Sequence, residues 1–150
     1  MNPNAAIQEI MTTDLITIRP EDSISAIRAV FEKHDFHHLL VVEKGAQLVG
    51  IISKKDYLKT VHFASANTTE RTGTIRENGV MVAKDMMTKY PIHLDPEDSI
   101  GLAADIFLAN KFHALPIVED GKLIGILTTH DLLEYIFKSP VEESSSETLT

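Results

Sequence analysis

Two carboxylates occupy the same local setting: "GIISKKD" (50–56) and "GILTTHD" (125–131) share a glycine, a hydroxyl residue and an aspartate three positions after it. An ionised carboxylate offers two acceptor oxygens, which suits a vicinal diol and which no apolar or cationic side chain can match. Ser53 and Thr128 fall where an apolar strand pattern gives way to a helical one. The unpaired N–H groups of a helix N-terminus are a natural place for phosphate, and Lys54, Lys55 and His130 lie within that junction. The same spacing also fits an N-cap with an acid in the first helical turn, worth about 1 kcal/mol without any ligand. The lysines fit solvated helix-start positions equally well. Capping and binding can coexist.

Other chemistries find less support. The sequence has no cysteine, which excludes disulfides, a thiol nucleophile and cysteine metal sites. His34 ends a helical stretch while His37 and His38 enter a strand, so these three lack the i, i+4 geometry of a helical metal pair. No Walker-type phosphate loop, H-E-x-x-H or G-x-S-x-G is present. Asp56 and Asp131 have no evident nucleophile or base beside them, so an enzyme is not expected, and neither a catalytic nor a metal residue is assigned. With 14 basic against 22 acidic residues the net charge is −8, which repels nucleic acid and anionic membranes. No apolar run approaches the roughly 20 residues of a membrane span, and "MNPNAAIQEI" lacks a secretory pattern. The cytoplasm is the expected compartment.

The elements that must position the two motifs are themselves doubled. "PEDSI" at 20–24 returns at 96–100, an offset of 76, and one extra residue in "EKGAQLVG" against "EDGKLIG" changes the offset to 75. Met11 matches Met87, Phe31 matches Phe107, Phe36 matches Phe112 and His37 matches His113. Each copy opens on a short edge strand, "LITI" or "PIHL", with a proline beyond it. Ile24, Ile27, Val30 and Phe31, like Ile100, Ala103, Ile106 and Phe107, fall on one helical face, with Asp22 or Ser23 and Asp98 or Ser99 as caps. Apolar runs flanking Gly45 and Gly121 read as hairpins, and a second helix follows each. Phe36 and Phe112 read as core residues. Each unit is thus β-α-β-β-α, about 50 residues and marginal alone, so the copies should pack together.

The doubled motif, each preceded by "FHHLLVVE" or "FHALPIVE", resembles a tandem CBS-domain pair, the family named for the regulatory region of cystathionine β-synthase. The resemblance implies an α/β (α+β) fold of two repeats related by a pseudo-twofold axis, forming a homodimer. It implies a regulatory module that binds an adenosine-containing ligand (AMP, ADP or ATP, sometimes S-adenosylmethionine or a cyclic dinucleotide) in clefts between the copies. Asp56 and Asp131 would accept the ribose hydroxyls, with Ser53 and Thr128 near phosphate or ribose. The strands Ile16, Thr17, Ile18 and Ile92, His93, Leu94 would meet the adenine edge. His37 and His38 stand where the family places phosphate-reaching residues, and His113, Ala114, Leu115 and Pro116 stand there in the second copy. Ala114 carries no donor, and Leu40 replaces the proline kept as Pro116.

The organisation expected is an N-terminal extension (1–9), a first repeat (10–63), a mobile polar linker (64–85), a second repeat (86–138) and a disordered acidic tail (139–150). No cofactor is required beyond a regulatory nucleotide, and the output would pass to an effector protein still to be identified. A ligand-free assembly module is the alternative.

Overall fold

The computed structural model describes residues 2–62, 81–110 and 112–138. The chain divides into two units that do not follow the halves of the sequence: one lies within 16–91, and the other combines residues within 1–15 with residues within 92–150. Each copy of the repeat therefore folds with a short segment that precedes the other copy.

In the unit within 16–91, strand β1 (Thr17–Ile18) runs parallel to β2 (His38–Glu43), with Thr17 opposite Leu40 and Ile18 opposite Val41. β2 forms an antiparallel hairpin with β3 (Gln47–Ser53). Helix α1 (Ile24–Lys33) connects β1 to β2, and Ser23 Oγ caps it by accepting from Ala26 N at 3.2 Å. Helix α2 is described over 54–62. Ile18, Ile27, Phe31, Leu39, Val41, Ile52 and Tyr57 form the core. The Tyr57 hydroxyl accepts from Arg28 Nε at 3.3 Å and raises the guanidinium pKa above its ordinary value, tying α1 to α2.

The other unit repeats the plan. Leu94 bridges Ile117 in parallel register, helix α4 (Ile100–Ala109) is capped by Ser99 Oγ accepting from Leu102 N at 3.1 Å, and β5 (Ala114–Glu119) pairs antiparallel with β6 (Lys122–Thr128) before helix α5 (Thr129–Lys138). The β5–β6 turn has Asp120 and Gly121 at φ 52° and 79°, the two positive values a type I′ hairpin needs. The extra residue of the first hairpin is absorbed by a short 3₁₀ turn, Lys44–Ala46. Its core is Ile7, Leu94, Ile100, Ala103, Phe107, Leu115, Ile117, Leu127 and Leu132. Phe36 packs on Phe31, the rings 6.2 Å apart, as the core reading expects. Phe112 differs: it is 38% exposed. Phe36 also stacks on His34 at 5.3 Å, whereas Asn110 stands at the matching position, so Phe112 lacks that ring partner.

The exchanged segments are bound by matching backbone hydrogen bonds. Ile7 N donates to Asp98 O at 2.8 Å and Gln8 N to Pro96 O at 3.0 Å; Ala83 N donates to Asp22 O at 2.8 Å and Lys84 N to Pro20 O at 3.0 Å. Each segment turns once, as a 3₁₀ turn at Ile7–Glu9 and as α3 at Ala83–Met86. An acid closes each turn: Ala6 N donates to Glu9 Oε2 at 3.0 Å and Val82 N to Asp85 Oδ2 at 2.8 Å. Ile7, within the segment expected as an extension, and Ala83, within the segment expected as linker, are both fully buried. Residues 63–80 and the tail 139–150 lie outside the described residues. Strand β4 (Thr88–Lys89) completes the docking of the segment that carries α3 by pairing antiparallel with β3.

Ile7→Ala should lower unfolding free energy by about 2–5 kcal/mol, the usual cost of emptying a buried isoleucine site, seen as an earlier urea midpoint. A loss below about 0.5 kcal/mol, within the range of surface substitutions, would show that the N-terminal segment adds nothing to the core.

Candidate functional site: the two motif junctions

In the unit within 16–91, the hairpin register places His38 directly opposite Ser53. Lys54 N donates to His37 O at 2.7 Å, and Ser53 Oγ accepts from Asp56 N at 3.0 Å, so the hydroxyl caps α2. His37, His38, Ser53, Lys54, Lys55 and Asp56 are thereby gathered where β3 passes into α2. Asp56 is exposed, and among the described residues its carboxylate makes no hydrogen bond. Just before β1, Ile16 is 36% exposed, while Ile18 turns into the core.

The other unit brings Ala114 opposite Thr128, with Thr129 N donating to His113 O at 3.1 Å. Here the capping is reciprocal: Asp131 N donates to Thr128 Oγ1 at 3.1 Å, and Thr128 N donates to Asp131 Oδ2 at 2.9 Å, a capping box. Thr12 Oγ1 adds a donor, 3.2 Å from Asp131 Oδ1 and 3.4 Å from Oδ2. His130 is drawn away along the helix, its Nε2 3.1 Å from Glu134 Oε1. The side chains of Leu115 and Pro116 are buried, and Pro116 O accepts from Leu94 N at 3.0 Å. Only Ile92 of the sequence-selected apolar residues here is broadly exposed, at 52%.

Thr12 joins the second junction through Asp131, and the sequence reading missed it. The signal was present: Thr12 and Thr88 follow Met11 and Met87 at the repeat offset. The two methionines also explain the motif glycines. A Cβ on Gly50 would lie 2.3 Å from Met87 Sδ, and one on Gly125 would lie 2.6 Å from Met11 Sδ and 3.2 Å from the Thr12 carbonyl oxygen. The docked segment and the motif strand are therefore fitted to one another at the site. Among the described residues, no group of three or more metal-ligating side chains could hold an ion, and no helix is long and apolar enough to cross a membrane.

Comparison with known proteins agrees with this architecture. The CBS-domain family model matches twice, over 7–62 and 83–138, and the chain belongs to that family. Inosine-5′-monophosphate dehydrogenase of Korarchaeum cryptofilum is 36% identical over 126 residues, 83% of this chain and 23% of that enzyme. An uncharacterized protein of Methanocaldococcus jannaschii is 30% identical over 150 aligned positions, 85% of this chain and 89% of its own length. The chain spans only 23%, 48% and 31% of the first curated relatives it matches. Among solved structures, the CBS-pair protein CBSX2 from Arabidopsis thaliana superposes with a TM-score of 0.73 at 27% identity, covering 90% of this chain and 96% of that one. A structure of CBSX2 in complex with AMP gives a TM-score of 0.75 at 28% identity, covering 89% and 97%. The fold is thus the mixed α+β tandem repeat of CBS pairs, and CBS pairs are regulatory modules.

The difference in capping predicts a difference in stability. Asp131→Ala should cost about 0.5–2 kcal/mol, the value of a lost N-terminal cap, and Asp56→Ala distinctly less. Urea unfolding of the two variants checks this; equal losses would mean that the Asp131 bonds contribute nothing in solution.

Proposed function

We propose that the chain is a regulatory module that binds an adenosine-containing nucleotide (AMP, ADP or ATP) at the doubled motif and passes its occupancy to an effector protein. One observation carries the reading: in each unit a capping hydroxyl, a motif aspartate and the histidine-bearing start of a strand converge at one strand-to-helix junction. The carboxylates suit the ribose diol, and the junction N–H groups and cations suit phosphate. The AMP complex of CBSX2, at 28% identity, supports an adenine nucleotide as ligand. Binding would act by population shift, since a ligand can move an equilibrium only through its differential affinity for the states. In this reading the protein is a cytoplasmic homodimer, needs no cofactor, catalyses nothing and binds neither nucleic acid nor membrane.

A second reading, a ligand-free assembly module, draws on exposed apolar side chains of the motif helices: Leu58, Leu133 and Phe137 at 54%, 52% and 70%. Thermal shift with AMP, ADP and ATP, with GTP as control, separates the two. A ligand at 100 times its dissociation constant adds about 2.7 kcal/mol, or a rise on the order of 5–11 °C at this size. Asp56→Ala or Asp131→Ala should remove the rise for the nucleotide its junction holds, without loss of the dimer. No rise with any adenine nucleotide in the wild type would favour assembly.

A further inference from the structure

The two motif helices begin alike and then diverge in charge. α2 carries Lys54, Lys55 and Lys59 with one acid, Asp56; at the matching positions α5 carries Thr129, His130 and Glu134 beside Asp131. Cations in a first turn oppose the helix dipole, and Lys55 and Lys59, at i and i+4, repel one another on one face. Among the described residues none of the three lysines forms an ion pair. Lys54 and Lys55 therefore disfavour the first turn of α2, and an anion facing them would relieve this. α5 is electrostatically complete: Asp131 stands in its first turn, and Glu134 is shared between His130 at 3.1 Å and Lys138 at 3.6 Å.

The strand ends add to the contrast. His37 and His38 precede Leu39 in β2, whereas His113 is followed by Ala114, which offers no donor. The exposed Asp56 carboxylate has no hydrogen bond among the described residues, while that of Asp131 already accepts from Thr128 N and Thr12 Oγ1. We infer that the two junctions take adenosine ligands of different charge: the Asp56 junction takes a nucleoside di- or triphosphate, and the Asp131 junction an adenosine whose 5′ substituent carries at most one phosphate. This rests on the adenosine-binding reading above and adds to it a division of labour that the shared motif alone does not imply. Each added phosphate at the first junction meets an unpaired ammonium group. At the second the His130 imidazole is already engaged by Glu134, an acid where the first junction has Lys59.

Isothermal titration with ATP, AMP and adenosine provides the test, on the full chain and on Asp56→Ala, Asp131→Ala and the triple variant Lys54→Ala, Lys55→Ala, Lys59→Ala. Removing cations from the start of a helix should not unfold it, and circular dichroism melts check that each variant is folded. The triple variant should lower the ratio of ATP affinity to adenosine affinity about tenfold. Asp56→Ala should lower the same ratio, Asp131→Ala should raise it, and ATP binding alone should weaken steeply with salt. Adenosine binding with a ratio that none of these changes moves, or ATP binding lost with Asp131 and kept without Asp56, overturns the division while leaving the adenosine site intact. If none of the three ligands binds the wild type, the adenosine-binding reading itself fails and the division fails with it.

Discussion

The structure depends on the docking of each short segment into the unit formed by the other copy. Backbone donors of Ile7 and Ala83 reach the carbonyls of Asp98 and Asp22, and both side chains are fully buried. A repeat of about 50 residues is marginal by itself. Here each unit gains its missing contacts from a segment belonging, by sequence, to the opposite copy. Neither repeat cut out as one continuous stretch would carry its whole core. The same docking lays Met87 over Gly50 and Met11 over Gly125, so the strand that ends in the motif hydroxyl is held by the exchanged segment. The candidate site is thus built into the packing that makes the fold stable.

That coupling changes how the motif is understood. Ser53 and Thr128 are helix caps first, because each accepts the N–H of an aspartate three residues on. The capping explanation and the ligand explanation do not compete for these atoms. A capped hydroxyl is fixed in place, and Asp131 is fixed further by bonds from Thr128 and Thr12. A ribose diol approaching Asp131 would meet a carboxylate already oriented but also partly satisfied, whereas the Asp56 carboxylate has no hydrogen bond among the described residues and is less preorganised. Two sites with one motif can therefore differ in both stability cost and affinity.

Much of this was legible in the sequence, because duplication separates signal from accident. The hairpins, the helical faces and the two junctions all follow from patterns that occur twice. Of the alternative caps, the structure selects Ser23 and Ser99, while Asp22 and Asp98 instead accept from Arg19 N and Asp95 N in the preceding turns. Spacing alone could not separate neighbouring residues that are both good acceptors. Thr12 escaped because its partner lies 119 residues away, and local pattern cannot report a contact made by exchange. Phe112 escaped because the stacking partner that Phe36 has in His34 is Asn110 in the second copy, a difference outside the motif itself.

What differs between the copies is informative where the fold gives no reason for it. The core positions vary within apolar limits, as packing requires. The helix starts vary in charge, from three lysines on α2 to a histidine–glutamate pair on α5, and both helices form. Helix stability favours acids in a first turn, which α5 satisfies with Asp131 and α2 only with Asp56 against two lysines. A local choice that works against its own element is expected where another constraint acts. For α2, the phosphate of the proposed ligand would supply that constraint, as an anion facing Lys54 and Lys55.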